Sequence, residues 1–189
     1  MKRVLLMCLI GMLINACHKK PKVCIVTPLG AIVCELYPDK APATCKNFLQ
    51  YVDEDRYKDA KFYRVVTLEN QPANKIKIEV IQGGLLEYNH PNMLKPIVHE
   101  TTMQTGIRHE DGTISMARLE PGSASSEFFI CINKQPQLDF GGIRNPDGQG
   151  FSAFGKVIKG MEVVRSIQAL GNTNQILNET VQIESIYRL

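Results

Sequence analysis

The chain lacks the sequence features of several common functional classes. It has no Cys-x-x-Cys pair, no glycine-rich phosphate loop and no dinucleotide-binding fingerprint. A thioredoxin-type redox site and a nucleotide-cofactor site are therefore not expected. Ser115 and Ser126 lie outside any Gly-x-Ser-x-Gly setting, so the nucleophile elbow of a hydrolase is not expected either. We predict a protein that works without a cofactor.

The sequence also has no large excess of positive or negative charge and no clear metal-binding pattern. The net charge is +3, of which Lys2 and Arg3 contribute two, and the remaining chain has no basic stripe. We therefore expect no nucleic-acid binding. His90, His99 and His109 are too far apart for a pair of metal ligands on one helix. Acidic residues nearby would allow a metal site. The simpler interpretation is that the histidines are polar side chains of loops, and we predict no metal site.

Long hydrophobic runs are missing as well, apart from a short one at the N-terminus. A basic start and an apolar run at residues 4–14 are typical of a secretory signal, and the run is too short for a membrane span of about 20 residues. We predict a signal peptide at 1–16. Leu13–Cys17 resembles a bacterial lipobox, so Cys17 would carry lipid and residues 17–22 would form a tether. The alternative is an ordinary secretory signal in which the cysteine is incidental.

The cysteines of the remaining chain leave two interpretations open. They are Cys24, Cys34, Cys45 and Cys131. An even number in an exported protein permits disulfides, and a Cys24–Cys34 bridge across the first hairpin is conceivable. Burial as free thiols that behave as small apolar side chains explains them equally well.

The whole chain, 189 residues long with 44% apolar residues, suits one domain with a full hydrophobic core. Two isolated stretches have helical periodicity, one that begins at Pro42 and one from Met161 to Leu170, which Gly171 would end with positive φ. Many short strands with two helices favour a barrel whose ends are capped by helices. β-rich runs occur at 22–27, 31–37, 62–66, 76–82, 113–117, 128–133, 151–157 and 181–187.

Several stretches in the middle of the chain, taken in order, resemble the core of the cyclophilins. These stretches are Phe62–Val66, Ile81–Gly84, Gly112–Arg118 and Ser126–Ile130. The resemblance implies a cyclophilin-like isomerase domain at 23–189. It also implies a mainly β fold, a closed eight-stranded antiparallel β-barrel capped by two α-helices.

The resemblance also implies a site. Arg64 occupies the place of the catalytic arginine, and Gln82 matches the catalytic-site glutamine that binds the substrate backbone. An arginine suits a donor role because it stays charged and offers a rigid fork. The implied substrate-binding residues are Tyr63, Val80, Ala117, Arg118, Glu127, Phe129, Leu138 and Phe151.

The chain departs from the family pattern at several of these places. Glu127 replaces a glutamine, which predicts a carboxylate near Arg64 that partly neutralises it. The segment between Arg64 and Gln82 is longer than usual, so Glu79 stands where a second pocket phenylalanine is expected. Tyr63, Gln137 and Phe151 stand where the family usually has histidine, tryptophan and histidine, respectively.

The function that the resemblance implies is peptidyl-prolyl cis-trans isomerisation. Uncatalysed rotation of an Xaa-Pro bond takes tens to hundreds of seconds and can limit folding. Together with the N-terminus, this predicts an enzyme that assists folding of cell-envelope proteins, on the periplasmic side and lipid-anchored to the membrane. Its partners would be proline-containing polypeptides and the membrane, and we expect a monomer. The alternative is a proline-peptide binding module or chaperone with little turnover.

Overall fold

The computed structural model describes residues 20–87 and 89–189. The segment with the predicted signal peptide and the lipidated Cys17 lies outside the described residues. No helix in the described part is long and apolar enough to cross a membrane. The elements are β1 Lys22–Thr27, β2 Gly30–Leu36, α1 Pro42–Asp53, β3 Lys61–Val66, β4 Val80–Gly84, α2 Thr102–Thr105, β5 Thr113–Met116, β6 Phe128–Cys131, a 3₁₀ turn Pro136–Leu138, β7 Ser152–Lys159, α3 Met161–Gln168, β8 Asn172–Thr173, β9 Ile176–Gln182 and β10 Ser185–Arg188.

The strands form one antiparallel sheet in the order β10-β1-β2-β7-β5-β6-β4-β3-β9-β8. The predicted eight-stranded barrel closed by hydrogen bonds is not confirmed, because the sheet has ten strands and its two end strands are not paired with each other. The C-terminal run explains much of the difference. It was predicted as one strand, but it divides at Ile183 and Glu184, so that β9 pairs with β3 and β10 pairs with β1. The two ends of the strand order are thus joined by the chain itself.

The main core lies on one face of the sheet, under α1 and α3. Phe48 of α1 meets Phe128 of β6 edge-on, with 5.5 Å between ring centroids. Pro42 begins α1, and no side chain of the preceding residue caps the helix. The Glu100 carboxylate instead accepts the free backbone N–H groups of Ala43 and Thr44, at 3.1 and 2.8 Å. An acidic group suits this end of a helix because the backbone dipoles are positive there.

A second, smaller apolar cluster lies on the opposite face, since neighbouring residues of a strand point to opposite sides. Phe128 and Ile130 belong to the main core, whereas Phe129 and Cys131 belong to the second cluster. This second cluster forms the floor of a cleft. Its buried members are Val66, Ile78, Val80, Phe129, Cys131 and Leu138.

Three local predictions differ from the structure. The strand predicted from Ile76 begins only at Val80, because the Gln71 side chain bonds the backbone N–H and C=O of Ile78 in place of a neighbouring strand. α2 lies in a stretch for which the sequence predicted neither a helix nor a strand, and Thr101 and Gln104 form a capping box there. α3 ends with Ala169 in a right-handed helical conformation, so Gly171 is not its positive-φ terminator.

The four cysteines of the folded part are free and buried. Cys24 lies opposite Val33 and Cys34 opposite Val23, so the two thiols project from opposite faces of the hairpin. The conceivable Cys24–Cys34 bridge is therefore not formed. Burial, with a smaller contribution from Cys24, raises the pKa of Cys34 to about 12, which keeps this thiol protonated and unreactive.

Candidate active site

The second apolar cluster opens into a cleft of about 280 Å³. In the part that the structure describes, larger grooves lie beside α1, α2 and β9. The grooves beside α1 and β9 are lined by neither an arginine nor an aromatic residue, and the groove beside α2 has Arg108 and Phe140 but none of the ten predicted site residues. Of the ten predicted site residues, all but Tyr63 and Glu127 line the cleft. The lining residues are Arg64, Ile78, Val80, Gln82, Ala117, Arg118, Leu119, Phe129, Leu138, Arg144, Asn145 and Phe151.

Strand register brings the central side chains together. Arg64 on β3 pairs with Gln82 on β4, and Gln82 pairs with Phe129 on β6. Directly paired residues of neighbouring strands point to the same face. Three adjacent strands therefore place a cation, an amide and an aromatic ring in one row.

The apolar wall of the cleft is built around Phe129, which is buried. Its ring meets Phe151 edge-on at 5.3 Å and stacks on His109 at 5.8 Å between ring centroids. His109 Nδ1 lies 2.7 Å from Asp139 Oδ1, and Nε2 lies 3.0 Å from Ser115 Oγ. Because Ser115 and His109 are buried and closed to a substrate, these polar groups orient the ring that backs Phe129. In the part that the structure describes, no group of three His, Cys, Asp or Glu side chains converges as metal ligands.

A directed chain of hydrogen bonds runs away from the cleft. Arg64 Nη1 donates to Gln82 Oε1 at 2.8 Å, and Gln82 Nε2 donates to the Tyr63 hydroxyl at 2.6 Å. The Tyr63 hydroxyl donates to Glu127 Oε2 at 2.5 Å. An arginine only donates and a carboxylate only accepts, so the two ends dictate the orientation of the amide between them. Burial and the charge of Glu127 raise the pKa of Tyr63, so its hydroxyl keeps the proton that the chain requires.

The prediction that Glu127 neutralises Arg64 is wrong. The carboxylate accepts hydrogen bonds from Tyr63, from Ser126 Oγ at 3.0 Å and from the Leu86 backbone N–H at 3.1 Å. The Tyr63 ring and Gln82 separate it from the guanidinium. Glu127 also packs against Gly84, where an added Cβ would lie 2.5 Å from the carboxylate. The hydrogen-bond connection of Glu127 to the cleft therefore runs through Tyr63.

The sequence did not predict the main hydrogen-bond partner of Arg64, which is Gln175. Gln175 Oε1 accepts from Arg64 Nε at 3.1 Å and from Nη2 at 2.5 Å. Gln175 lies in the turn between β8 and β9, with φ of 73°, and its amide nitrogen donates to the Asn70 carbonyl. No spacing or periodicity signals a contact between a strand and a turn that are far apart in sequence. Burial, followed by the charge of Arg144, lowers the pKa of Arg64, although a guanidinium stays charged at neutral pH.

Ile78 and Phe151 form the part of the cleft wall that a second phenylalanine was expected to form. Glu79 lies off the cleft, where its carboxylate accepts from Asn133 Nδ2 at 2.9 Å. Ile78, one residue earlier, lines the cleft, and Phe151 adds an aromatic ring. Gln137 does not line it and instead accepts the Ile143 backbone N–H.

Arg118 fastens one rim of the cleft. Its guanidinium donates to Gly150 O at 2.8 Å and to both carboxylate oxygens of Asp147 at 2.8 and 2.9 Å, and it lies over the Phe151 ring. The hydrogen bonds from Arg118 lower the pKa of Asp147 to about 2. These contacts hold the loop at 141–150 against the cleft.

Known proteins resemble this chain in sequence and in fold. Residues 22–188 match the family model described as cyclophilin-type peptidyl-prolyl cis-trans isomerase/CLD. Peptidyl-prolyl cis-trans isomerase B of Escherichia coli is 35% identical over 168 residues, which cover 83% of this chain and 93% of the relative. The peptidyl-prolyl cis-trans isomerase of Acinetobacter baylyi is 34% identical over 156 residues, which cover 82% and 76%. A cyclophilin-type isomerase of Cryptosporidium parvum has the same fold, with a TM-score of 0.70 over 90% of this chain and 98% of that one at 22% identity.

Proposed function

Since the chain belongs to the cyclophilin-type peptidyl-prolyl cis-trans isomerases, we propose that it rotates Xaa-Pro bonds in proteins of the bacterial cell envelope, anchored to the membrane by lipid on Cys17. The enzyme class follows from the family. The observation that carries the mechanism is Arg64, which is held by amide oxygens at the edge of an apolar cleft. The envelope location is supported by the N-terminal sequence.

The apolar part of the cleft suits a proline ring. Rotation of the bond requires loss of amide resonance, with a barrier of about 18–20 kcal/mol, and neither makes nor breaks a covalent bond. Phe129, Leu138 and Phe151 offer the ring a water-poor surface. A Cryptosporidium parvum cyclophilin with the same fold, at a TM-score of 0.69, was crystallised in the presence of the dipeptide Ala-Pro.

Arg64 supplies the polar part of the mechanism. As the amide twists, the proline nitrogen becomes pyramidal and its lone pair becomes able to accept a hydrogen bond. The bonds to Gln82 and Gln175 use one hydrogen on each Nη atom and the hydrogen on Nε. One hydrogen on each Nη therefore remains for the substrate. A donor already in place favours the twisted state over the planar one, because it needs no rearrangement as the lone pair appears.

The charge of Arg64 gives the first prediction. Gln175→Glu places a carboxylate on Nε and Nη2 and should lower kcat/KM for isomerisation about tenfold, since an ion pair weakens the donor toward the substrate. The measurement is the isomerisation rate of a proline peptide by NMR exchange. Gln182→Glu is the matched control, because Gln182 lies on β9, the strand that follows the turn of Gln175, but bonds Ala60 O away from the cleft. An unchanged rate in Gln175→Glu would show that the free charge of Arg64 is not used.

The anchor gives the second prediction. Cys17→Ala should release the protein from the membrane fraction or leave an unprocessed precursor, because acyl chains contribute about 0.8 kcal/mol per buried CH₂ group to membrane binding. The measurements are detergent-free fractionation and the mass of the mature N-terminus. Cys24→Ala, which alters a buried thiol of the folded domain, should keep the wild-type distribution. The anchor would be refuted by unchanged membrane association together with an unchanged N-terminal mass.

A further inference from the structure

A third arginine, Arg144, reaches the cleft from the loop at 141–150. Arg144 Nη1 donates to Ile76 O at 2.6 Å and to Gln71 Oε1 at 3.2 Å. Gln71 is 1% exposed and is itself held by the Thr67 and Ile78 carbonyls. The long segment between β3 and β4 therefore holds the Arg144 side chain in place along the cleft wall.

The cleft has an excess of positive charge. Arg64, Arg118 and Arg144 line it, and among the described residues that line it there is no carboxylate. Arg118 is paired with Asp147. In the described part of the chain, the hydrogen-bond acceptors of Arg64 and Arg144 are amide and backbone carbonyl oxygens. These neutral partners leave both cationic charges uncompensated.

The two uncompensated charges line the same cleft of about 280 Å³. The positive charge of Arg144 lowers the pKa of Arg64, second in effect to burial. Both guanidiniums are half-buried, so water screens their repulsion less than it would at the surface. An anion bound by Arg144 would relieve this repulsion and gain charge-assisted hydrogen bonds.

The position of Arg144 indicates which part of a peptide it would meet. Ala117 follows β5 at one side of the cleft, whereas Arg144 is fastened to the segment between β3 and β4 at the other side. Phe129 and Gln82 lie between these two sides. A peptide with its proline ring against Phe129 and one end along Ala117 would bring the residue beside the proline to Arg144.

We propose that Arg144 forms a subsite for an anionic side chain, so that the enzyme prefers substrates with Asp or Glu adjacent to the proline. This inference rests on the proposed isomerase function and names a class of substrate for the same site. Arg144 is a specificity-determining residue in this scheme, and Arg64 retains its role at the twisting bond.

The test compares two peptide series, one that varies the residue before the proline and one that varies the residue after it, with Glu, Gln, Ala or Lys. NMR exchange gives the isomerisation rate without a coupling protease, and chemical-shift titration gives the affinity. In one of the series we expect Glu to exceed Gln about tenfold in kcat/KM and Lys to fall below Gln. The preference should weaken as salt is raised.

Arg144→Gln should reduce the ratio of Glu to Gln peptides to about one, since it removes the charge and keeps a polar side chain. Arg165→Gln is the matched control, because Arg165 lies on α3 and pairs with Asp111, and it should keep the wild-type ratio. Equal rates and affinities for Glu and Gln in both series, or a preference that survives Arg144→Gln, would overturn the subsite. Catalysis of the Ala peptide by the wild type tests the isomerase function separately, and the titration still tests the subsite if no peptide is turned over.

Discussion

Arg64→Ala should lower kcat/KM for Xaa-Pro isomerisation about 10²-fold, the size of effect seen when one preorganised donor is lost from an active site. The guanidinium lies at the apolar cleft with hydrogens free for the substrate, and its remaining hydrogens bond Gln82 and Gln175. Because the proline nitrogen accepts a hydrogen bond only when the amide is twisted, the loss should fall mainly on kcat. Peptide affinity should change much less. Both quantities follow from NMR exchange and titration on the same samples.

Two comparisons separate this effect from misfolding. Arg64→Lys keeps a charge but loses the planar fork, so it should recover only part of the rate. Circular dichroism should be unchanged in both variants, since Arg64 is half-buried and water can replace its bonds to the two glutamines. A folded Arg64→Ala enzyme with wild-type turnover would make Arg64 a structural strand residue. Wild-type protein that binds peptide without turnover would favour the binding-module alternative.

Phe129→Ala should impair both the pocket and the fold. The ring is 4% exposed and contacts His109 and Phe151, so its removal should destabilise the protein by about 3–5 kcal/mol. The pocket loses its main wall, and KM for proline peptides should rise by about tenfold or more because apolar contact with the ring is lost. Urea denaturation gives the free energy of unfolding, and steady-state kinetics below the unfolding transition give KM.

Phe128 supplies the matched control, because it is the preceding residue of β6 and belongs to the main core on the other face of the sheet. Phe128→Leu and Phe129→Leu should each lower stability, but only Phe129→Leu should raise KM. If Phe129→Ala keeps the wild-type KM, the proline ring does not bind in the cleft.

The sequence predicted a large part of the fold correctly. The β1–β2 hairpin, α1, β5, β6 and the body of α3 lie where the periodicity placed them. In these elements one side faces the core and the other does not, and the spacing of apolar residues follows from this difference. Contacts within the element are enough to decide its type.

Predictions that needed a distant partner were less successful. Alternation alone predicted a strand from Ile76, but Gln71 takes over the hydrogen bonds of Ile78. The C-terminal run was predicted as one strand, but its halves pair with β3 and β1 at opposite ends of the strand order. Hydrogen-bond partners of this kind lie far along the chain or in a side chain, and local spacing carries no information about them.

The candidate site divides in the same way. From the sequence by itself, the family resemblance implied that Arg64, Gln82 and Phe129 belong to one site, and the strand register of the folded protein places them on one face. Only the tertiary structure decided that Gln175 holds Arg64, that Tyr63 separates Glu127 from it and that Arg144 enters the cleft. The physical reason is that side chains on turns and loops acquire their partners when separate parts of the chain fold together.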